Sequence, residues 1–349
     1  MSRVLVIGNG AAGLFSSWLL ARKGQEVVLV GRGTPSTSMS TGCIRTRPEG
    51  CEREMAEFLV NEHMPWAVGA RAGLSKIGTP FRCWMAPSHS TWKYGEAPGS
   101  VTVVSIEGHP AIHVRIASSL LIAQGIRAEH LSLPIAVPPE VPLTAAFRSE
   151  GSWELLAKAL RTTSSDAVLL PAMVPLREYG RLDALERQCG RKVLEAVTPL
   201  GPPGLRLTEL MHARAAGAGV TIWDGRRVTA LDIKGDTVRG ATVSGGSDVK
   251  EVATDAAVIA TGGPLVDGLN IKGRELDDPF GVFQVARSTD ALRGGYASRE
   301  GMMVRVDGRR MANAVAAGDC VYSERRDHGS GLAGALDSAR MAVMALEGA

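Results

Sequence analysis

The stretch from Val4 to Arg32, VLVIGNGAAGLFSSWLLARKGQEVVLVGR, constrains this chain more than any other. Val4 to Ile7 is an apolar run of the kind found in strands buried on both faces. Gly8, Gly10 and Gly13 follow in the spacing G-x-G-x-x-G, and Ala11 to Arg22 has helix-forming composition. Gln25 to Val30 reads as a second buried strand, which makes the unit β-α-β. Each glycine has its own physical reason. Gly8 allows a tight turn, Gly10 lets the backbone approach a pyrophosphate, and Gly13 permits close helix–strand packing. The amides of the first helical turn, around Ala11 and Ala12, add free N–H groups and the positive end of a dipole, which favour a phosphate. The unit therefore reads as a dinucleotide or flavin site rather than an accidental glycine-rich turn.

One expected group is missing. Such sites usually end the second strand on Asp or Glu, which holds the adenosine ribose. Here the strand runs into Gly31, Arg32 and Gly33. Either the ribose is held differently, with Arg32 a candidate contact, or the nucleotide is shorter than FAD or NAD.

At 349 residues and 45% apolar content, the chain can bury a large core and hold two domains. A formal net charge of +3, with no basic run interleaved with aromatics, argues against nucleic-acid binding. Cys43, Cys51, Cys83, Cys189 and Cys320 are scattered with no C-x-x-C pair. That argues against a metal or iron–sulfur site made by this chain alone and suits a reducing cytoplasm. The apolar start coincides with the glycine fingerprint and lacks a cleavage pattern, so it is not read as a signal peptide. No run reaches the roughly 18 apolar residues of a spanning helix. The expectation is a soluble, cytoplasmic protein that could dock on a membrane through a partner.

Along the chain, Gly31–Pro48 is a Ser/Thr/Gly-rich loop, and Glu52–Glu62 looks helical. Val101–Ile106 is strand-like, His113–Gln124 has helical spacing, and Pro134–Pro142 is extended. Ser152–Thr162 reads as an amphipathic helix, Ala167–Leu170 as a buried strand, and Arg181–Cys189 as a short helix. Pro199–Gly204 (PLGPPG) reads as a rigid turn before a helix over Leu205–Ala216. Val220–Trp223 is a strand, and Val228–Thr254 a three-stranded meander with turns at Gly235-Asp236 and Gly245-Gly246. Ala256–Ala260 and Ala314–Ala317 are further buried strands, and Ser330–Glu347 is a closing helix. The expected fold is α/β: a Rossmann-like FAD/NAD(P)-binding fold of three layers, with a parallel sheet and a β-meander, plus an inserted α+β domain. The flavin-binding domain would take in 1–69 and 201–349, and the inserted substrate or partner domain 70–200.

A second informative stretch is AAGDCVYSERRDHGSGLAGALDSARMAV, from Ala316 to Val343. A strand delivers Gly318 and Asp319, and Asp319 could accept hydrogen bonds from ribityl hydroxyls. The helix start at Gly331, Leu332 and Ala333 could stabilise negative charge on a reduced flavin ring. The plainer alternative is an Asp cap and a glycine-rich helix start. Thr261 and Gly262, at the end of the strand before them, belong to the same pattern.

Taken in order, these motifs resemble those of two-dinucleotide-binding-domain flavoproteins. AVLLPA (Ala167–Ala172), GPPGLRL (Gly201–Leu207), GVTIWDG (Gly219–Gly225), VGRGTPSTSMSTG (Val30–Gly42), ATGGPLVDGL (Ala260–Leu269) and ELDDPFG (Glu275–Gly281) narrow the likeness. With AAGDCVYSERRDHGSGLAGAL (Ala316–Leu336), they resemble the B-type subunit of anaerobic glycerol-3-phosphate dehydrogenase over most of the chain, the segment 65–150 matching poorly. The resemblance implies bound FAD or FMN in a complex that oxidises sn-glycerol 3-phosphate to dihydroxyacetone phosphate. It also implies an FAD-containing catalytic partner subunit and an iron–sulfur subunit passing electrons to membrane quinone.

Thr41, Gly42 and Cys43 could then sit over the flavin ring. For Cys43 a small buried residue is favoured over a redox thiol. Arg325, Arg326 and His328 could bind a small anionic substrate or receive a proton, and a solvated charged loop is the rival reading. Arg45, Arg47 and Arg287 are further anion candidates. Trp66, Trp84 and Trp92 read as packing residues or a partner surface. The leading expectation is a flavin-dependent dehydrogenase subunit. Its alternatives are a stand-alone FAD-dependent oxidoreductase of an amino or hydroxy acid and a non-catalytic flavin-binding electron-relay subunit.

Overall fold

A computed structural model describes residues 2–348 apart from 61–63, 267, 274, 287–293 and 323–330. The chain divides into two compact units, one formed by residues 1–37, 48–59 and 208–349 and the other by 38–47 and 60–207.

The first unit opens with β1 (Arg3–Ile7), α1 (Ala11–Arg22) and β2 (Glu26–Gly31). β1 pairs in parallel with β2, and its Val-Leu-Val-Ile run is buried because sheet partners and helices cover both faces. Helix α1 is buried from Ala11 to Leu20, as its apolar composition all round requires. Phe15 and Trp18 pack on Phe58 of α2 (Glu52–Leu59).

The second unit begins with an antiparallel sheet of β3 (Trp66–Leu74), β4 (Pro80–Pro87) and β5 (Trp92–Lys93). A fully parallel sheet in the order β7-β6-β8-β9 follows, built from β6 (Ser100–Ile106), β7 (Arg127–Leu133), β8 (Ala167–Leu170) and β9 (Lys192–Glu195). Between its strands run α3 (Val114–Ala123), the one-turn α4 (Leu143–Ala146), α5 (Glu150–Leu160) and α6 (Arg181–Cys189). This unit therefore carries its own β/α alternation beside the antiparallel strands. Its core joins Val101, Val103, Leu169 and Leu194 of the sheet to Ala117 and Leu121 of α3.

A buried histidine flanked by two partly exposed carboxylates ties part of this unit together. The His89 ring, 2% exposed, places Nε2 2.8 Å from Asp183 Oδ1 and Nδ1 3.0 Å from the Val193 carbonyl and 3.4 Å from Glu186 Oε2. Both ring nitrogens thus face acceptors, which suits the doubly protonated ring. Burial opposes that charge, but the Glu186 and Asp183 hydrogen bonds outweigh it and raise the pKa above 6.5. Glu186 in turn is lowered to about 2, its own burial overcome by His89 and the Val193 amide. A group raised on folding stabilises fully below its unfolded value and loses that contribution as pH climbs through the folded one. Wild type should therefore exceed His89→Gln in urea stability by more at about pH 6 than at about pH 9. A pH-independent difference between the two would contradict this protonation.

The division between units falls within α7 (Pro202–Gly217), between Leu207 and Thr208. PLGPPG is only partly the rigid turn expected, because the helix already starts at Pro202. Proline is tolerated there because the amides of a first helical turn have no intrahelical acceptor. The first unit then resumes with β10 (Thr221–Asp224) and the meander β11 (Arg227–Lys234), β12 (Thr237–Gly245) and β13 (Asp248–Ala253). β14 (Ala256–Ile259) pairs with β1 in parallel. Short pairs follow, β15 (Asn270–Lys272) with β16 (Glu275–Asp277) and β17 (Val285–Ala286) with β18 (Gly295–Tyr296). β19 (Ser298–Arg299), β20 (Met302–Val304), β21 (Arg310–Ala316) and α8 (Gly331–Glu347) complete the unit.

The main sheet has the order β10-β2-β1-β14-β21-β20-β19, parallel up to β21 with an antiparallel edge beyond it. The meander packs on it through Val228, Val238, Ala241 and Val243, and Asn313 of β21 locks the two by exchanging hydrogen bonds with the Val238 backbone at 2.7 and 2.8 Å. Helix α8 packs against α1 on the sheet. Among the described residues no helix is long and apolar enough to cross a membrane.

Candidate functional site: a glycine-turn cleft in the first unit

Gly8 stands at the carboxyl end of β1 with φ +120°, and its amide donates to the Val30 carbonyl at 2.8 Å. A Cβ there would fall 2.0 Å from the Ala260 carbonyl oxygen, and one on Gly13 would fall 1.8 Å from the Gly8 oxygen. Both glycines are demanded by packing. Gly10 differs. It is extended, with φ −77°, and a Cβ would meet only Thr37 Oγ1 at 3.6 Å and Pro35 Cβ at 3.8 Å, on the side that lines a cleft. The Ala11 amide already donates to Thr37 Oγ1 at 2.8 Å. Among the described residues, no hydrogen bond takes the amides of Ala12 and Gly13, the remaining donors of the first turn.

The cleft encloses about 380 Å³. It runs from the loop after β2 and the start of the meander, past Gly8–Gly10, to Ala260–Gly262 and Pro279–Phe280. Its lining includes Arg32, Arg226 and Arg227 and, among the described residues, no carboxylate. The strand-end acid is also sterically excluded. A Cβ on Gly31 would lie 2.4 Å from Asn9 Cγ, because the Asn9 side chain fills that place. Asn9 Nδ2 donates to the Gly33 carbonyl at 3.0 Å and to Asp224 Oδ1 at 3.3 Å, and Asp224 Oδ2 lies 2.8 Å from His212 Nε2. Arg226 is held over the Trp223 ring and 2.9 Å from Asp248 Oδ2.

At the other end, Thr261 Oγ1 donates to the Gly268 carbonyl at 3.0 Å, and Gly262 takes φ +84°. The loop carrying Pro279 and Phe280 is stapled by the buried Asp278 carboxylate. It accepts the amides of Phe280, Val282 and Phe283 at 3.2, 2.7 and 2.8 Å and the Tyr296 hydroxyl at 2.8 Å. Burial and the Asp278 charge push the Tyr296 phenol far upward, so it serves as donor.

Of the residues singled out in the sequence, Gly8, Gly10, Arg32, Thr261 and Gly262 line this cleft, and Ala11, Ala12 and Gly13 form the helix start behind it. Gly318 and Asp319 form a turn after β21 and are not in the lining. A Cβ on Gly318 would meet Ala12 Cβ at 2.9 Å, and one on Gly263 would lie 3.5 Å from Asp319 Cβ. Gly331, Leu332 and Ala333 are the first turn of α8 and are also outside the lining. Thr41, Gly42 and Cys43 fall in the second unit, where Gly42 packs on Pro203 and Cys43 is buried at 3% exposure. Arg325, Arg326, His328 and Arg287 lie outside the described residues. Asn9, Arg226 and Phe280 in the lining, and Thr37 at the helix start, carry no sequence motif that marks them. Asn9 stands at a variable position of the fingerprint, and Thr37 is one hydroxyl among many in its loop, so neither carried a signal of its own.

A parallel sheet with a glycine turn at its central strand, a packed meander and a carboxyl-end cleft defines a Rossmann-like fold of the FAD/NAD(P)-binding type. No protein-family model matches the chain. The chain is similar to the B-type subunit of anaerobic glycerol-3-phosphate dehydrogenase from Yersinia enterocolitica, 26% identical over 324 residues covering 76% of each chain. The same subunit of Pectobacterium atrosepticum is 24% identical over 340 residues, 80% of this chain and 79% of that one. Among solved structures, Thermovibrio ammonificans THI4 superposes with a TM-score of 0.42 at 12% identity, covering 99% of this chain and 89% of that one.

Proposed function

We propose that this chain is a flavin-dependent oxidoreductase working as the B-type subunit of an sn-glycerol-3-phosphate dehydrogenase complex. The observation that carries the flavin part is the cleft itself, where the glycine turn leading into α1 and three arginines line a space without a carboxylate, and the Ala12 and Gly13 amides just behind that turn have no acceptor among the described residues. The amides of Ala12 and Gly13 would hold a phosphate, with the dipole of α1 favouring its charge. Arg32, Arg226 and Arg227 would balance further negative charge, while Phe280 and Gly262 offer flat, apolar surface to a ring. The place of the usual ribose-binding acid is filled by Asn9, which favours FMN, whose phosphomonoester is dianionic, while FAD would require another ribose contact. The flavin would accept a hydride, and the protein would supply orientation and electrostatics.

The names of the similar proteins support sn-glycerol 3-phosphate as substrate and work in a multi-subunit complex, and the sequence resemblance supports a quinone-linked iron–sulfur subunit and an FAD-bearing subunit as companions. Arg325, Arg326 and His328 remain the proposed anion-binding and proton-accepting groups. The test is anaerobic addition of sn-glycerol 3-phosphate to the flavin-loaded chain, alone and with its partner subunits. Bleaching only in the complex supports the subunit reading. Bleaching of the isolated chain by an amino or hydroxy acid would favour a stand-alone oxidoreductase. Reduction only by a reduced partner would favour an electron relay.

A further inference from the structure

Two thiols meet in the second unit. Cys43 and Cys83 are 3% and 4% exposed and share a small core cluster with Ala86 and Val197. Their approach is fixed by backbone. The Ile44 amide donates to the Met85 carbonyl at 2.8 Å, and the Met85 and Trp84 amides donate to the Ile44 carbonyl at 3.1 and 2.8 Å. This bridge brings the loop carrying Cys43 onto β4, where Cys43 and Cys83 pack in the same small cluster, with Cys43 Sγ 3.7 Å from the Thr41 carbonyl. Arg71 stands directly opposite Cys83 in the β3–β4 ladder, with its guanidinium held by Thr91 Oγ1 at 3.3 Å and the Thr91 carbonyl at 3.4 Å.

The pair is polarised. The neighbouring Cys43 thiol lowers the Cys83 thiol despite its burial, with help from Arg71 and Arg45, while Cys43 is pushed well up by its Cys83 neighbour and by burial. Cys51 is pushed upward by burial and Asp337, and Cys320 is pushed up to about 11 by burial. Thiolate character is what makes a cysteine nucleophilic, so the asymmetry assigns roles.

We propose that Cys43 and Cys83 form a dithiol–disulfide redox centre, with Cys83 the attacking sulfur, Cys43 the resolving thiol and a hydroperoxide the oxidant. The Cys83 thiolate attacks hydrogen peroxide, the O–O bond breaks, and Cys83 becomes a sulfenic acid as hydroxide leaves. Cys43 then attacks that sulfur, the S–O bond breaks, and water departs as the S–S bond forms. Two thiols and one peroxide give one disulfide and two waters. Burial of both sulfurs favours an oxidant of this size over a bulky disulfide.

The test treats the full chain with hydrogen peroxide, blocks remaining thiols under denaturing conditions and maps the peptides by mass. The expected product is a Cys43–Cys83 cross-link, lighter by two hydrogens and reversed by dithiothreitol, with Cys51, Cys189 and Cys320 still thiols. In Cys43→Ser, Cys83 should accumulate as a dimedone-reactive sulfenic acid. In Cys83→Ser, oxidation of Cys43 should slow by roughly tenfold or more. Wild-type chain in which Cys43 and Cys83 stay reduced while other cysteines oxidise would overturn the proposal, as would oxidation of Cys43 at the wild-type rate in Cys83→Ser.

Discussion

Gly10→Val should empty the nucleotide cleft and leave the fold standing. The backbone at Gly10 is extended and a Cβ meets nothing closer than 3.6 Å, so valine fits without strain. Its methyl groups, however, would enter the cleft that Gly10 lines at the turn into α1 and displace the phosphate proposed to sit there. Losing two charge-assisted hydrogen bonds, at about 1.5–3 kcal/mol each, corresponds to a fall in flavin affinity of roughly a hundredfold or more. Gly8→Ala and Gly13→Ala should behave differently. Each added carbon would lie 2.0 Å or less from a carbonyl oxygen that neither strand nor helix can move. Those chains should fail to fold, whereas Gly10→Val should keep the wild-type circular dichroism and unfolding midpoint. Retained flavin in folded Gly10→Val would show that this cleft is not the flavin site.

Arg206→Leu should cost roughly 3–5 kcal/mol of stability. Its guanidinium, 2% exposed, is paired with Glu195, which is fully buried, through two contacts that include Nη1 to Oε1 at 3.2 Å. It also donates to the Val174 carbonyl at 2.8 Å and lies over the Tyr179 ring. Glu195 additionally accepts the amides of Met173 and Val174 at 3.1 and 3.2 Å, so it fixes the chain leaving β8. Without Arg206 a bare carboxylate is left in the core. Adding Glu195→Gln to Arg206→Leu should recover about half the loss, because the amide removes the charge and keeps an acceptor for both N–H groups. Urea unfolding measures this, and a single variant within about 1 kcal/mol of wild type would contradict it.

Where the sequence spoke plainly, one physical requirement dominated. β1, β2, β8 and β14 are apolar runs because they are buried on both faces, and α1 follows a turn that only glycine can make. β3 and β4 were not legible, since WAVGARAGL interrupts alternation with Gly69 and Gly73 and PFRCWMAP opens and closes on proline. β9 is as short as β8 and β14, but its KVLE begins and ends on charged residues, so no apolar run registers. In the site, the turn glycines could be assigned from spacing alone. The absent strand-end acid could be noted, but not its cause, because Asn9 reaches Gly31 across the turn and is held by Asp224, more than two hundred residues later. Arginines brought in by the meander are likewise a product of tertiary packing, not of any local pattern.

The most direct test is the flavin content of the gently purified chain, with the released cofactor identified by mass. The expected result is a yellow protein carrying equimolar flavin, FMN or FAD, and a Gly10→Val chain without it. A folded, colourless chain that takes up neither FMN nor FAD on reconstitution would contradict it.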